Sequence, residues 1–478
     1  MENTNREGFG SNFGFIMAAV GSAVGLGNIW GFPYKMGLNG GFAFLLIYLV
    51  LAAFVGLAVM VGELAIGRST GMSPIAAYRK ISKKFTWLGY MAVIAPFIIL
   101  CFYMVLGGMV MRYACSYLLA MFGVDIWGVK DISTFFGTFL LDGTQMIIWT
   151  AVFIAINTII VCGGIGGGIE KFCNIGMPCL FVMLIVIIVY VAVQPGAMGG
   201  YQFMFGLNIE PLKENFIGVL KTAAGQMFFS LSLGMGAIIT YGSYLSKKES
   251  IQKNAVIVVI MDTLVAIMAG MIVMPACYAF LDGNTTGGPG LLFASMHMVY
   301  HNMGGIIGNL MGFLFYFLVF IAAISSSMSL LEAITATKID SDIAKGKAPK
   351  RRATALVFAI LVLIFCMPTA LDGLGSGTAG GAWLPTPGEL FGIENPSGWS
   401  ADWLDFYDML SEGIIMPLGA MIMAFAIGWI WKIDMVKEEI EASGHKMWGK
   451  AFFAACYKFI TPIGMIIVLY GQITAYFG

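Results

Sequence analysis

The chain has 478 residues, 59% of them hydrophobic and only 11% charged, with 26 basic and 26 acidic side chains in balance. An apolar share this high, with a mean hydropathy of +0.87, marks a polytopic membrane protein, and the zero net charge leaves no global basic field for nucleic acid. The eight cysteines lack CxxC spacing, so they imply neither a disulfide framework nor a zinc site and read as small core residues.

At about 20 apolar residues per span, eleven spans are expected: 13–36, 42–66, 88–120, 145–162, 172–193, 217–245, 255–281, 306–337, 353–368, 409–431 and 451–475. Residues 1–12 form a short polar N-terminal segment, and with no small-residue cleavage signal after the first apolar run, that span is expected to be permanent. Arg6, the group from Arg68 to Lys84, Lys171, the group from Lys247 to Lys253, the cluster from Lys345 to Arg352 and the segment from Lys432 to Lys450 fall on one side. The alternate loops hold little beyond Lys130 and Lys213. The positive-inside rule therefore puts the N-terminus in the cytoplasm and, after eleven spans, the C-terminus outside, in a plasma (inner) membrane protein. Two outer connections are long, 282–305 and 369–408; the first holds a glycosylation-type triplet at Asn284 and a short helix.

The first span is irregular. Its segment GSAVGLGNIWGFP, from Gly21 to Pro33, carries four glycines, an asparagine and a proline inside an apolar run, although glycine costs about 1 kcal/mol against alanine in a helix. A second Gly-x-Gly interruption, Gly234-Met235-Gly236, lies in the sixth span. Close helix packing is one explanation of such glycines. Interrupted segments at matching places in two halves are also the mark of a transporter site between inverted repeats. On that reading residues 13–195 (spans 1–5) and 217–431 (spans 6–10) are the repeats, with 451–475 an addition.

At 1.5 Å per residue, Asp262 lies about 12 Å inside its span, and Ser230, Asn28 and the Ser325-Ser326-Ser327 triplet are at similar depth. A carboxylate in hydrocarbon stays protonated or finds a cation. Half-helix N-termini favour a carboxylate, and freed carbonyls and hydroxyls suit a hard cation such as Na⁺. An anionic or zwitterionic solute carried with sodium is the expectation.

The motifs GSAVGLGNIWGFPY, NGGFAF, GELAIGR, FFSLSLGMGAIITYGSY and DFYDMLSEGIIMPLG resemble the neurotransmitter:sodium symporter family, and the eleven-span count is similar to its bacterial amino-acid transporter branch. The resemblance implies an all-α fold of two five-helix inverted repeats with helices 1 and 6 broken. It implies two sodium ions, the first held by Ala23, Asn28, Ser230, Asp262 and the substrate carboxylate, the second by Gly21, Val24, Ala322, Ser325 and Ser326. The carboxylate is expected at the Leu26 and Gly27 N–H groups and the Tyr103 hydroxyl, and the ammonium at the carbonyls of Ala23 and Phe229, with Ser230 and Ser232 nearby. Phe229 roofs the pocket, while Ile99, Met235, Ser326 and Leu330 line its far end, an apolar lining that suits a hydrophobic or aromatic amino acid.

Three further expectations follow from the resemblance. Glu63 bonds the opened backbone, an ion pair with Arg68 being the alternative. Gly168 and Pro178 let the fifth span unwind, unless the proline serves packing. The carboxylate of Asp262, with Tyr48 and Gln226 beside it, makes chloride unnecessary. One departure concerns the outer gate, where Gly31 stands in place of the family's arginine; Lys35, one turn on, is the substitute partner expected for Asp405. A channel-like permease and a sensor or non-transporting subunit remain as alternatives to transport. An enzyme is not expected, because His297 and His301 read as solvated or helix-capping residues of an outer loop.

Overall fold

A backbone in hydrocarbon must satisfy its N–H and C=O groups internally, and the helix is the local way to do so. The computed structural model describes residues 8–283, 288–375, 384–395, 397–442 and 444–477, and among these every regular element is helical. We label the helices that position the site α1 (Asn12–Ala23), α2 (Gly27–Leu38), α3 (Phe42–Thr70), α4 (Lys83–Ala120), α5 (Gly143–Cys162), α6 (Ile165–Ala192), α7 (Glu210–Ser230), α8 (Ala237–Ser243), α9 (Ile251–Phe280), α10 (Met296–Met303), α11 (Gly305–Ala344), α12 (Arg351–Leu371), α13 (Trp403–Ile430) and α14 (Lys450–Phe477).

Among the described residues nine helices are long and apolar enough to cross a membrane, or ten with the bent pair α1 and α2 taken as one. The expected sixth span does not reach that standard. It is divided into α7 and α8, and α7 begins with the charged stretch EPLKENF while α8 has only 7 residues. Several helices outrun the apolar segments that announced them, because helical backbone continues into the polar ends; α11 runs 40 residues. Side-chain caps start four of the labelled helices: Ser11 accepts from Gly14 N, Asp142 from Gln145 N, Ser250 from Lys253 N and Asp402 from Asp405 N.

The centre of the bundle is the long α4 packed along α11, with α5 and α12 on its flank. α1 lies against α6, α9 and α11, and α14 packs on α13 and α7. The site is therefore enclosed by α1, α4, α7, α9 and α11.

Several expectations need correction. His297 is buried rather than solvated: on α10 its Nδ1 lies 2.7 Å from Tyr117 Oη, and the outer connection folds back so that the ring packs among Tyr113, Trp127 and Phe135. Burial holds its imidazole down to about 3. Of the cysteines, Cys101, Cys173, Cys277, Cys366 and Cys456 are buried, but Cys179 is exposed and Cys115 and Cys162 half-buried, so they are not all core. The part expected of Gly168 and Pro178 in unwinding stands as a proposal and is not corrected; in this conformation both lie in helical backbone of α6. Asn284 lies outside the described residues.

Candidate substrate and ion site

The chain breaks helix twice. α1 and α2 are bent by 52° across residues 24–26, and the freed groups find partners: Gly25 N donates to Asn28 Oδ1 at 2.9 Å and Leu26 N to Tyr103 Oη at 3.0 Å. Between α7 and α8, Ser232, Gly234 and Gly236 have φ of 54°, 78° and 71°. A side chain at Gly234 would put Cβ 2.5 Å from Met416 O, and one at Gly236 2.4 Å from Ala92 O, so only glycine fits either turn. Ser232 accepts this unfavourable region while its Oγ donates to Ser22 O at 2.7 Å. Gly234 N donates to Glu63 Oε1 at 2.7 Å. Glu63 thus bonds the opened backbone, and Arg68 pairs with Glu439 instead, at 2.6 Å.

Beside the first break, four elements converge in a buried polar cluster. Asn28 Nδ2 donates to Ser230 Oγ at 2.8 Å and to Asp262 Oδ1 at 2.7 Å, Ser230 Oγ donates to Asp262 Oδ2 at 2.9 Å, and Tyr48 Oη reaches both at 3.3 and 3.4 Å. Among the described residues no cationic side chain forms an ion pair with Asp262. A fully buried carboxylate with oxygen neighbours and no counter-ion suits a hard cation.

A second group of oxygens lies where α1 meets α11. Ser326 Oγ donates to Val24 O at 3.0 Å and Gly21 O at 3.3 Å, and Ser325 Oγ to Ala322 O at 3.0 Å. Ser327, the third of the triplet, turns away to Asn157 Oδ1 on α5 at 2.7 Å.

Between the two groups is a cavity of about 20 Å³, lined by Ala23, Gly27, Asn28, Ile99, Tyr103, Phe229, Ser232, Met235, Ser326 and Leu330, with Ser22 and Gly25. All ten residues of the first group were expected at the site; Leu26, Ser230 and Asp262 flank the cavity through the bonds above. Added Cβ atoms at Gly25 and Gly27 would stand 2.6 Å from Tyr103 Oη and 2.5 Å from the Phe229 ring, so both glycines keep this space open. Phe229 and Gly27 also line a larger cavity of about 390 Å³ on the other side, with Trp30, Gly31, Lys35, Gln226 and the carboxylates of Asp402, Asp405, Asp408 and Glu412.

At that larger cavity the expected pairing is corrected. Lys35 Nζ lies 2.6 Å from Glu412 Oε1, not on Asp405. Asp405 sits in the first turn of α13, its N–H taken by Asp402 Oδ1 at 2.7 Å; Glu412 is seven residues further along, about 10 Å deeper. Sequence reasoning did not single out Glu412, although a carboxylate within an apolar run was a usable signal. It also passed over Asn157 and the Ser22 to Ser329 hydroxyl bond of 2.7 Å.

With this geometry in view, the comparisons with known proteins are specific. The model of the sodium:neurotransmitter symporter family matches residues 6–131 and 140–384. The sodium-dependent transporter YhdH of Bacillus subtilis is 32% identical over 469 residues, covering 96% of each chain. A sodium-dependent transporter of Haemophilus influenzae is 31% identical over 480 residues and 98% of each. The sodium- and chloride-dependent GABA transporter 2 of Rattus norvegicus is 24% identical over 96% of this chain and 78% of its own. Among solved structures, MhsT in complex with L-phenylalanine superposes with a TM-score of 0.83 at 34% identity, over 98% of this chain and all of that one. A family match over most of the chain, relatives above 30% identity and two broken helices around a buried polar cluster lead to one conclusion: the chain belongs to the sodium:neurotransmitter symporter family.

Proposed function

We propose that this sodium-coupled symporter imports a hydrophobic, including aromatic, amino acid by alternating access, with two sodium ions and without chloride. The observation that carries the reading is the small cavity at the two helix breaks, where a wall of Ile99, Met235 and Leu330 adjoins the Asn28, Ser230 and Asp262 cluster. The L-phenylalanine bound to MhsT supports the same substrate class. In this assignment Ala23, Asn28, Ser230 and Asp262 hold the first sodium with the substrate carboxylate; Gly21, Val24, Ala322, Ser325 and Ser326 hold the second. Tyr103 and the Leu26 and Gly27 N–H groups receive the substrate carboxylate, the carbonyls of Ala23 and Phe229 with Ser230 and Ser232 nearby receive its ammonium, Phe229 roofs the pocket, and Asp262 supplies the fixed negative charge that makes chloride unnecessary. Sodium and amino acid, as cargo bound together, stabilise closure; rocking of one bundle against the other then exposes the site inward.

The Lys/Arg-rich end faces the cytoplasm in this reading, with eleven spans and an outward C-terminus. The larger cavity is then the outer approach, and Lys35 with Glu412 its gate. Thermal stabilisation of the purified protein, screened with all twenty amino acids in sodium and in potassium, tests class and substrate together. The expected result is a rise with apolar amino acids that needs sodium and is the same in chloride and gluconate. A shift indifferent to sodium, or a strict chloride requirement for uptake into proteoliposomes, defeats the corresponding part of the proposal.

A further inference from the structure

A groove of about 540 Å³ runs between α5 and α12 on the outside of the bundle. It exists because small residues, Ala151 and Ala155 on α5, Gly163 just after it and Ala359 on α12, leave a hollow among larger ones. Its apolar rim is uncovered among the described residues: Ile159, Leu356 and Ile360 are 71%, 54% and 51% exposed. The lining spans residues 352 to 363 of α12, about 16 Å at 1.5 Å per residue. That is about half of a ~30 Å hydrocarbon core, the depth of one leaflet.

The two ends of the groove differ in charge. The inner portion is apolar, while its mouth carries Arg352 at the Lys/Arg-rich end of the molecule. One face further round α12 a second hollow, about 590 Å³, is lined by Lys338, Asp342, Lys347 and Lys350. Lys338 already pairs with Asp342. Among the described residues Lys347, Lys350 and Arg352 have no carboxylate in ion-pair contact. Positive charge at Lys350 and Arg352, in no ion pair among the described residues, thus sits at the headgroup level of a leaflet-deep apolar slot.

We propose that this groove is a binding site for an anionic phospholipid, its acyl chain between α5 and α12 and its phosphate at Arg352 and Lys350. Basic pockets between spanning helices bind anionic headgroups in this way. A second copy of the chain fits less well, since a two-fold contact through the groove would bring two Arg352 and Lys350 clusters to the same edge of the interface.

Native mass spectrometry of the full-length protein tests this, with phosphatidylglycerol, with phosphatidylcholine of the same chains, and with glycerol 3-phosphate. The expected result is retention of phosphatidylglycerol over the other two, falling roughly fivefold for each charge removed in Arg352→Gln and Lys350→Gln, at about 1 kcal/mol per basic residue. Ala155→Phe, on the exposed rim, should lower the binding of phosphatidylglycerol by filling the slot. Equal retention of phosphatidylcholine, glycerol 3-phosphate binding as well as the lipid, or a dimer that Ala155→Phe dissociates with no lipid bound would each overturn the proposal.

Discussion

The two ends of the bundle use charge differently. At the Lys/Arg-rich end the pairing is shared around buried groups: Arg68 Nε and Nη2 bond Glu439 Oε1 and O at 2.6 Å each, Nη1 bonds Glu249 O, and Lys247, 57% exposed, adds to the same Glu439 at 2.7 Å. Glu332, fully buried, accepts from Tyr244 Oη at 2.7 Å and pairs with Arg351. At the opposite end a single pair, Lys35 and Glu412, stands over the 390 Å³ cavity, and the lysine side chain is 24% exposed. Buried carboxylates make the links at one end, Glu439 of the helix Asp434–Glu441 holding α3 through Arg68 and Glu332 joining α11 to α12, whereas one partly exposed pair ties α2 to α13 at the other. The Lys/Arg-rich end is the more heavily cross-linked of the two.

The largest test of that contrast is Arg68→Gln. Breaking a buried pair costs about 3–5 kcal/mol, with Lys247 holding the loss toward the lower figure, and the thermal midpoint of the purified protein reads it. An unchanged midpoint would show that the pair does not tie the Lys/Arg-rich end. Next is Glu332→Gln, which can keep the Tyr244 bond but loses the charge facing Arg351; a charge-assisted hydrogen bond is worth about 1.5–3 kcal/mol. A cysteine-accessibility assay should show the Lys/Arg-rich end more open in this variant, and equal labelling would refute the role given to Glu332.

Lys35→Met should cost at most about 1 kcal/mol of stability, as a partly exposed pair does, yet change substrate affinity and transport if Lys35 and Glu412 form the gate. Unaltered affinity and uptake remove Lys35 from the gate. The smallest effect concerns pH at the end that holds the 390 Å³ cavity. Burial, then the charge of Asp405, raises Asp402 to about 7, and burial raises Asp372 to about 6. Both pKa values lie above the ordinary aspartate value near 3.9. Their contribution to stability is complete below that value and is lost as pH rises through about 6 to 7. Asp402→Asn keeps an acceptor for Asp405 N and removes one titration, so its midpoint should fall less than the parent's between pH 5 and 8. Parallel profiles would rule Asp402 out.

What was legible in the sequence was local. Glycines and an asparagine inside an apolar run announced the first break, and a lone aspartate in a span announced the polar cluster; neither signal needs knowledge of distant partners. The resemblance then located cavity residues such as Ile99 and Leu330, which composition alone leaves as ordinary core. Partnering across the bundle was not legible. Choosing Glu412 over Asp405 depends on where α13 begins, and that is set by the Asp402 cap. His297 looked solvated because nothing local shows that its connection folds back onto α4. The Gly234-Met235-Gly236 interruption announced the second break as well, but not the positive φ of Ser232 within it, which depends on the distant Ser22 carbonyl.

Asn28 carries a consequence of its own. Its amide nitrogen stands where Ser230 Oγ and Asp262 Oδ1 converge and donates to both, so under the proposed assignment an arriving sodium meets an intramolecular competitor. The ion exchanges partners with a resident donor rather than filling bare oxygens. Its apparent affinity is then the intrinsic one reduced by the fraction of time the amide is turned away. A resident donor of this kind keeps the site's polar groups satisfied between cycles and sets a sodium threshold below which the cluster holds itself together.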